Sequence, residues 1–151
     1  MVKNKLNRNQ AILLISSIIL ILDQVTKYFS TIYLTDSKPI IQDIFHLTLS
    51  KNYGAGFNLL ENQQVILIFL ALVIIGTIVY YLDKVPNILY LIVSISAILG
   101  GAVGNLIDRI RLGYVIDFID FQVWPVFNVA DSAITVAGIF LAIYFWKKSN
   151  H

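Results

Sequence analysis

The stretch NILYLIVSISAILGGAVGNLI, residues 87–107, contains no Asp, Glu, Lys, Arg or His. It shows no strand-like alternation, and its length is close to the roughly 20 residues that carry a helix across about 30 Å of hydrocarbon. Three other runs share this character: 11–33, interrupted by Asp23 and Lys27, then 65–82 and 128–146. Only helices and closed barrels satisfy every backbone group in lipid. The sequence therefore predicts an all-α integral membrane protein, one membrane domain over residues 1–151 with four transmembrane helices at about 11–33, 65–82, 87–107 and 128–146. Composition agrees, because 58% of the residues are hydrophobic, 13% are charged and the mean hydropathy is +0.77. Soluble domains carry about 25% charged residues.

The same composition narrows the chemistry. A net charge of +2 is too small to indicate a nucleic-acid partner. The chain has no Cys, which excludes disulfides, thiolate metal sites and cysteine nucleophiles. Its two histidines, His46 and the terminal His151, are too few for a His-based zinc site, so neither metal nor cofactor is expected. There is no HExxH helix, GxSxG elbow or Gly-rich phosphate loop. His46 reads as a surface-loop residue.

Lys and Arg orient the spans. Lys3, Lys5, Arg8, Lys84, Lys147 and Lys148 fall on one side, while Lys38, Lys51, Arg109 and Arg111 fall on the other, with Lys27 near the boundary. The positive-inside rule makes the first side cytoplasmic and places both termini there. The basic start and apolar run resemble a signal peptide, but Asp23 and Lys27 follow in place of a small-residue cleavage site, so the run reads as a retained span. Two segments then lie outside. Residues 34–64 are too long for a turn, and the alternation around Ile44 to Leu49 predicts a small extracytoplasmic β-containing segment between helices 1 and 2. Residues 108–127 form the second, rich in charge and aromatics.

Carboxylates in apolar surroundings are the candidates for chemistry. Asp117 lies in Val115-Ile116-Asp117-Phe118, and Asp131 lies in the first turn of the fourth span. Trp124-Pro125 can turn the chain back between them, since proline cannot continue a regular helix. The two can thus meet at one depth, where a close pair keeps one proton and offers a base and an acid together. Asp131 also suits a capping box with Asn128, and the two roles are compatible. Asp117 could be a solvated loop charge, although its apolar flanks oppose that; Asp120 is the more solvated member of the segment. Gly100 and Gly104 form a small-xxx-small pair suited to close helix packing. Asn105 and Arg109, one turn apart, suit either substrate positioning or interhelical bonding. Asp23 and Lys27 read as an i,i+4 ion pair with Lys27 snorkelling outward. Asn52 and Gly54 suit a turn or backbone contacts to a peptide. A rival reading is a small transporter or proton-relay protein using Asp23, Asp117 and Asp131.

With these residues in view, the chain resembles the signal peptidase II (lipoprotein signal peptidase) family of aspartic membrane peptidases. The matching segments are Asp23-Gln24-Val25-Thr26-Lys27, Asn52-Tyr53-Gly54-Ala55-Gly56-Phe57, Gly100 to Arg109 continuing through Gly113, Val115, Asp117 and Phe118, and Trp124 to Ser132. The resemblance implies a catalytic dyad of Asp117 and Asp131, with Asn52, Asn105, Arg109 and Asn128 lining or supporting the site. Asp23, Lys27, Gly54 and Asp108 match family motif positions. It further implies an endopeptidase in the bacterial cell membrane, its active site on the outer face. The implied substrates are prolipoproteins cut just before a diacylglyceryl-modified cysteine. Membrane lipid is the other expected partner, and the chain is read as a monomer. Between the two aspartates, Gln122-Val123 leads directly into Trp124-Pro125, a shorter stretch than many family members carry, which bears on any lid function of that loop.

The charge pattern yields a direct test, because the chain lacks cysteine. Cys placed at Ser50 or Gln122 is expected to react with an impermeant thiol reagent in intact cells, and Cys at Lys84 is not. Labelling at position 84 would overturn the orientation.

Overall fold

The computed structural model describes residues 6–55 and 59–150. Gly56 and Phe57 of the second matching segment, together with Lys3, Lys5 and His151, lie outside the described residues. In chain order the elements are α1 (Arg8–Tyr33), β1 (Lys38–Ile41), β2 (Phe45–Asn52), α2 (Gln64–Tyr80), a single 3-10 turn at Leu82–Lys84, α3 (Leu89–Leu112), β3 (Val115–Asp120) and α4 (Val129–Ser149). Three helices, α1, α3 and α4, are long and apolar enough to cross a membrane, and α2 is a shorter apolar helix of 17 residues.

α3 is the centre of the bundle and packs against α1, α2 and α4. Two adjacent glycines bring the neighbouring backbones close. A Cβ on Gly100 would lie 2.5 Å from the Ser16 carbonyl of α1, and one on Gly101 would lie 2.7 Å from the Ala130 carbonyl of α4. Such close approach is how helices associate in lipid, where burying apolar side chains gives no advantage over leaving them in hydrocarbon. α1 is correspondingly inverted: its buried positions are Ile12, Ser16, Asp23, Lys27 and Ser30, while Leu13, Ile18, Ile21 and Leu22 face outward. α2 is apolar on all sides, with Leu67 as its single buried residue.

The two ends of the bundle differ. At one, Arg8 Nη1 donates to the Val85 carbonyl at 2.7 Å and Asn9 donates to Asp83 at 2.8 Å, which ties the start of α1 to the α2–α3 turn. Tyr80, Tyr81, Tyr90, Tyr144 and Trp146 gather on the helix segments near this end, as amphipathic rings do at a membrane interface. At the other end lies an antiparallel sheet of order β1-β2-β3. The expected β segment between the first two helices is present as β1 and β2, but the sheet is completed by β3, which comes from the α3–α4 connection. Ser50 pairs with Asp117, Lys51 with Ile116 and Asn52 with Val115. The run VIDFID carries apolar residues on both of its faces and is buried along nearly its whole length, so it fills the gap between β2 and the helix ends instead of forming a loop. α3 ends at Gly113, whose φ of 78° is a left-handed C-cap that glycine adopts without strain.

Asp108 therefore sits inside α3, one turn before its end, and not in the outer connection where the sequence placed it. Asp120 is likewise buried, accepting from Thr48 Oγ1 and from the Gln122 amide, both at 2.8 Å, instead of being solvated. His46 belongs to β2, with Ser37 Oγ 3.1 Å from its Nδ1, and is no loop residue.

The glycine contacts predict an asymmetry. Gly100→Ala and Gly101→Ala should each lower stability by about 1–3 kcal/mol through overpacking. Gly138→Ala, where an added Cβ meets nothing within 4 Å, should cost nothing or stabilise by up to about 1 kcal/mol through helix propensity. Thermal unfolding in one detergent ranks the three. A Gly138 variant as unstable as the other two would contradict the packing described.

Candidate active site

α4 begins where the chain returns from a short excursion beyond β3. Phe127 bonds back to Ile119 on both its N–H and its carbonyl, at 3.0 and 2.8 Å, and this delivers Asn128 to the end of the sheet. Asn128 is the N-cap of α4. Its Oδ1 accepts from the Asp131 amide at 2.8 Å, while Asp131 Oδ2 accepts from the Asn128 amide at 3.3 Å. This is a capping box with Asp in the third helical position, and it locks the direction in which Asp131 points.

The same Asn128 reaches the second carboxylate. Its Nδ2, fully buried, donates to Asp117 Oδ1 at 2.6 Å, with Asn105 Oδ1 at 3.2 Å and the Ile116 carbonyl at 3.3 Å as further acceptors. Asp117 Oδ2 accepts from Asn52 Nδ2 at 2.9 Å, and Asn52 Oδ1 in turn accepts from the Gly54 amide at 2.9 Å. Burial pushes the Asp117 carboxyl up to about 7, and neighbouring Asp131 adds to the rise; the bonds from Asn52 and Asn128 and the charge of Lys27 oppose it. Asp131 Oδ1 accepts from Asn105 Nδ2 at 2.8 Å. One residue thus bridges two carboxylates from different elements.

Behind the pair lies a buried charge cluster. Lys27 Nζ is 2.7 Å from Asp23 Oδ2 and 2.9 Å from Asp108 Oδ2, and it donates to Asn105 Oδ1 at 2.9 Å. The i,i+4 pair exists, but Lys27 is 2% exposed and points into the bundle, so it does not snorkel. Two inward carboxylates outweigh the interface as partners for an ammonium at this depth. Asp23 Oδ1 accepts from the Ala130 amide at 2.9 Å and Asp108 Oδ2 from the Ile116 amide at 3.2 Å, so the cluster holds the starts of both α4 and β3. Asp23 therefore lies at the same end as Asp117 and Asp131. The three carboxylates are not strung through the membrane depth as a proton relay requires.

A cavity of about 780 Å³ opens over Asp117 and Asp131. Asn52, Asn105 and Arg109 form part of its polar floor, Ser132, Thr135 and Val136 its α4 wall, and Trp124 to Phe127 a rim. Arg109 donates from Nη2 to the Gly54 carbonyl at 2.8 Å, and its buried Nε has no hydrogen-bond partner among the described residues. It holds the Asn52–Gly54 turn against α3, and no ion pair joins it to either carboxylate among the described residues. Two contributors escape sequence reasoning. Gln24 Nε2 donates to Asp108 Oδ1 at 3.1 Å and to the Gly104 carbonyl at 3.3 Å, and Thr48 holds Asp120. Gln24 lies inside the segment from Asp23 to Lys27, and a polar side chain there between two charged ones was the available signal. Among the described residues no three His, Cys, Asp or Glu side chains are gathered so as to hold a metal ion.

Comparison with known proteins points the same way. The signal peptidase (SPase) II family model matches residues 15–147. The lipoprotein signal peptidase of Caldanaerobacter subterraneus subsp. tengcongensis is 46% identical over 132 residues, 85% of this chain and 91% of that protein. That of Halothermothrix orenii is 40% identical over 135 residues, covering 88% and 93%. A bacterial membrane enzyme solved by the in meso method at 2.3 Å superposes with a TM-score of 0.85 at 32% identity, covering 91% of this chain and 88% of that one. With family match, relatives and fold in agreement across most of its length, this chain belongs to the signal peptidase II family and is a bacterial membrane peptidase.

Proposed function

We propose that Asp117 and Asp131 are the catalytic dyad of an aspartic endopeptidase, and that it removes the signal peptide from prolipoproteins just before a diacylglyceryl-modified cysteine. The observation that carries this is Asn128 serving both carboxylates at the floor of one cavity, Asp117 through its side-chain Nδ2 and Asp131 through its main-chain N–H. In the resting pair one carboxyl keeps a proton and the other is charged. The charged member takes a proton from water as the oxygen attacks the scissile carbonyl carbon; the protonated member gives its proton to the carbonyl oxygen. Collapse of the tetrahedral intermediate breaks the C–N bond; the proton held by the base passes to the departing amine, and a hydroxyl of the intermediate returns its proton to the other carboxylate, which restores the resting pair. Asn52, Gly54, Asn105, Asp108, Arg109 and Asn128, with Asp23 and Lys27, hold the carboxylates and the cavity wall in place.

The membrane placement follows the same reading. All four helices span, in one membrane domain. α2 belongs with the others because the Asn62 amide and Gln64 Nε2 both bond the Tyr53 carbonyl beside the sheet, whereas its far end joins the turn held by Arg8. It thus runs the length of the bundle. The sheet and cavity face outward, both termini face the cytoplasm, and the enzyme works as a monomer in the plasma or inner membrane. Lipid chains on the substrate cysteine hold the scissile bond at cavity depth, each buried CH₂ contributing about 0.8 kcal/mol. That replaces a loose encounter with a fixed geometry.

Three outcomes test this. Asp117→Asn and Asp131→Asn should each lower kcat on a purified lipidated precursor by at least about 100-fold while the variants still fold; near-normal turnover by either removes it from the dyad. The kcat/KM profile should fall as pH rises through about 7, where Asp117 loses its proton. Asn52→Leu removes a donor that favours the charged form, so that limb should move to higher pH; a shift downward contradicts the assignment. Finally, the lipidated form of one precursor should be cut far faster than its unmodified form at equal concentration. Equal kcat/KM for both would indicate a general signal peptidase instead.

A further inference from the structure

An ammonium group has three N–H bonds and no acceptor. Lys27 spends all three on acceptors: Asp23 Oδ2 at 2.7 Å, Asp108 Oδ2 at 2.9 Å and Asn105 Oδ1 at 2.9 Å. The first two neutralise charge. The third has a different consequence, because Asn105 carries an oxygen and an NH₂ group that are nearly equal in shape and opposite in polarity. Its Oδ1 faces two donors, Lys27 Nζ and Asn128 Nδ2 at 3.2 Å, and its Nδ2 donates to Asp131 Oδ1 at 2.8 Å. Rotating the amide by half a turn would set NH₂ against an ammonium and an amide, and a carbonyl oxygen against the Asp131 carboxylate.

We propose that Lys27 is a positioning residue that acts through Asn105, fixing the amide so that its NH₂ end is presented to Asp131. The proposal rests on the dyad reading above and adds a residue that touches neither carboxylate of the dyad nor the cavity. Asn128 alone does not supply the orientation, since its Nδ2 protons are shared among three acceptors. Lys27 is 2% exposed and braced by both Asp23 and Asp108, which makes it the stiffer donor. Without it Asn105 loses its main reason to face one way, and Asp131 loses a dependable donor during turnover.

Lys27→Met alone leaves two buried carboxylates unpaired, so the working variant is Lys27→Met/Asp108→Asn. It keeps the cluster at the native net charge of −1. Steady-state kinetics on a lipidated precursor are compared for this variant, Asn105→Ala, the two combined, Asp108→Asn alone and Asp131→Asn, with thermal unfolding measured for each. The expected result is a fall in kcat of about 100-fold for Lys27→Met/Asp108→Asn, with KM changed less than about threefold. Asp108→Asn alone should lose less. In the Asn105→Ala background the Lys27 change should add less than about threefold, because the residue it acts through is gone. Multiplying effects would overturn the proposal, and so would retention of more than half of kcat. Failure of Lys27→Met/Asp108→Asn to fold would also overturn it, by making Lys27 a requirement of the bundle whatever Asn105 does. If the unaltered enzyme leaves the precursor uncut, or Asp131→Asn cuts it normally, the fault lies in the dyad reading and not in the role of Lys27.

Discussion

A lysine ammonium enclosed at the heart of a membrane-embedded bundle is the constraint on which the other features depend. Removing a charge from water costs several kcal/mol unless partners surround it, and in a bundle bathed by hydrocarbon those partners must come from the protein itself. Lys27 of α1 finds them on α3, in Asp108 and Asn105, and in its own helix at Asp23. Each of these then bonds onward: Asp23 to the first turn of α4, Asp108 to the first residues of β3, and Asn105 to Asp131. Four segments separated in the chain are located against one another by this cluster, and the Asp117–Asp131 pair stands on top of it.

Close packing makes the cluster possible. Gly104 leaves room where any side chain would collide with Asp23, since a Cβ there would lie 2.5 Å from Asp23 Oδ2. Gly100 and Gly101 perform the same service for the backbones of α1 and α4. The glycines of α3 thus do what apolar packing does in a soluble core: they set the interhelical distances, here to values short enough for side chains of modest length to bond across. Capping serves double duty in the same way. Asn128 would be a routine N-cap if its Nδ2 did not also reach Asp117.

Much of this was legible in the sequence because hydrocarbon admits few solutions. Continuous apolar runs of about 20 residues read as helices, and the reversal at Trp124-Pro125 let Asp117 and Asp131 meet. The capping pair Asn128–Asp131 is local and could be read directly. What escaped depends on distant partners. VIDFID becomes a strand because β2, some 65 residues earlier, offers an unpaired edge beside it, and nothing local says so. The direction of Lys27 was misread for a similar reason. An i,i+4 pair on a helix is indifferent to facing inward or outward, and Asp108 on another helix decides the matter. Asp120 reads as solvated from its neighbours alone because Thr48, its partner, lies on that same distant strand.

The bond from the Ala130 amide to Asp23 joins residues 107 positions apart, the first span to the first turn of the last. Synthesis proceeds from the N-terminus, so α1 enters the bilayer carrying an acceptor whose donor does not yet exist. Asn128 and Asp131 emerge only after α1, α2, α3 and all three strands have been made. Until then the cavity lacks Asp131, its cap and its α4 wall. Completion of the bundle and assembly of the cavity are one event, timed by the order of the residues along the chain.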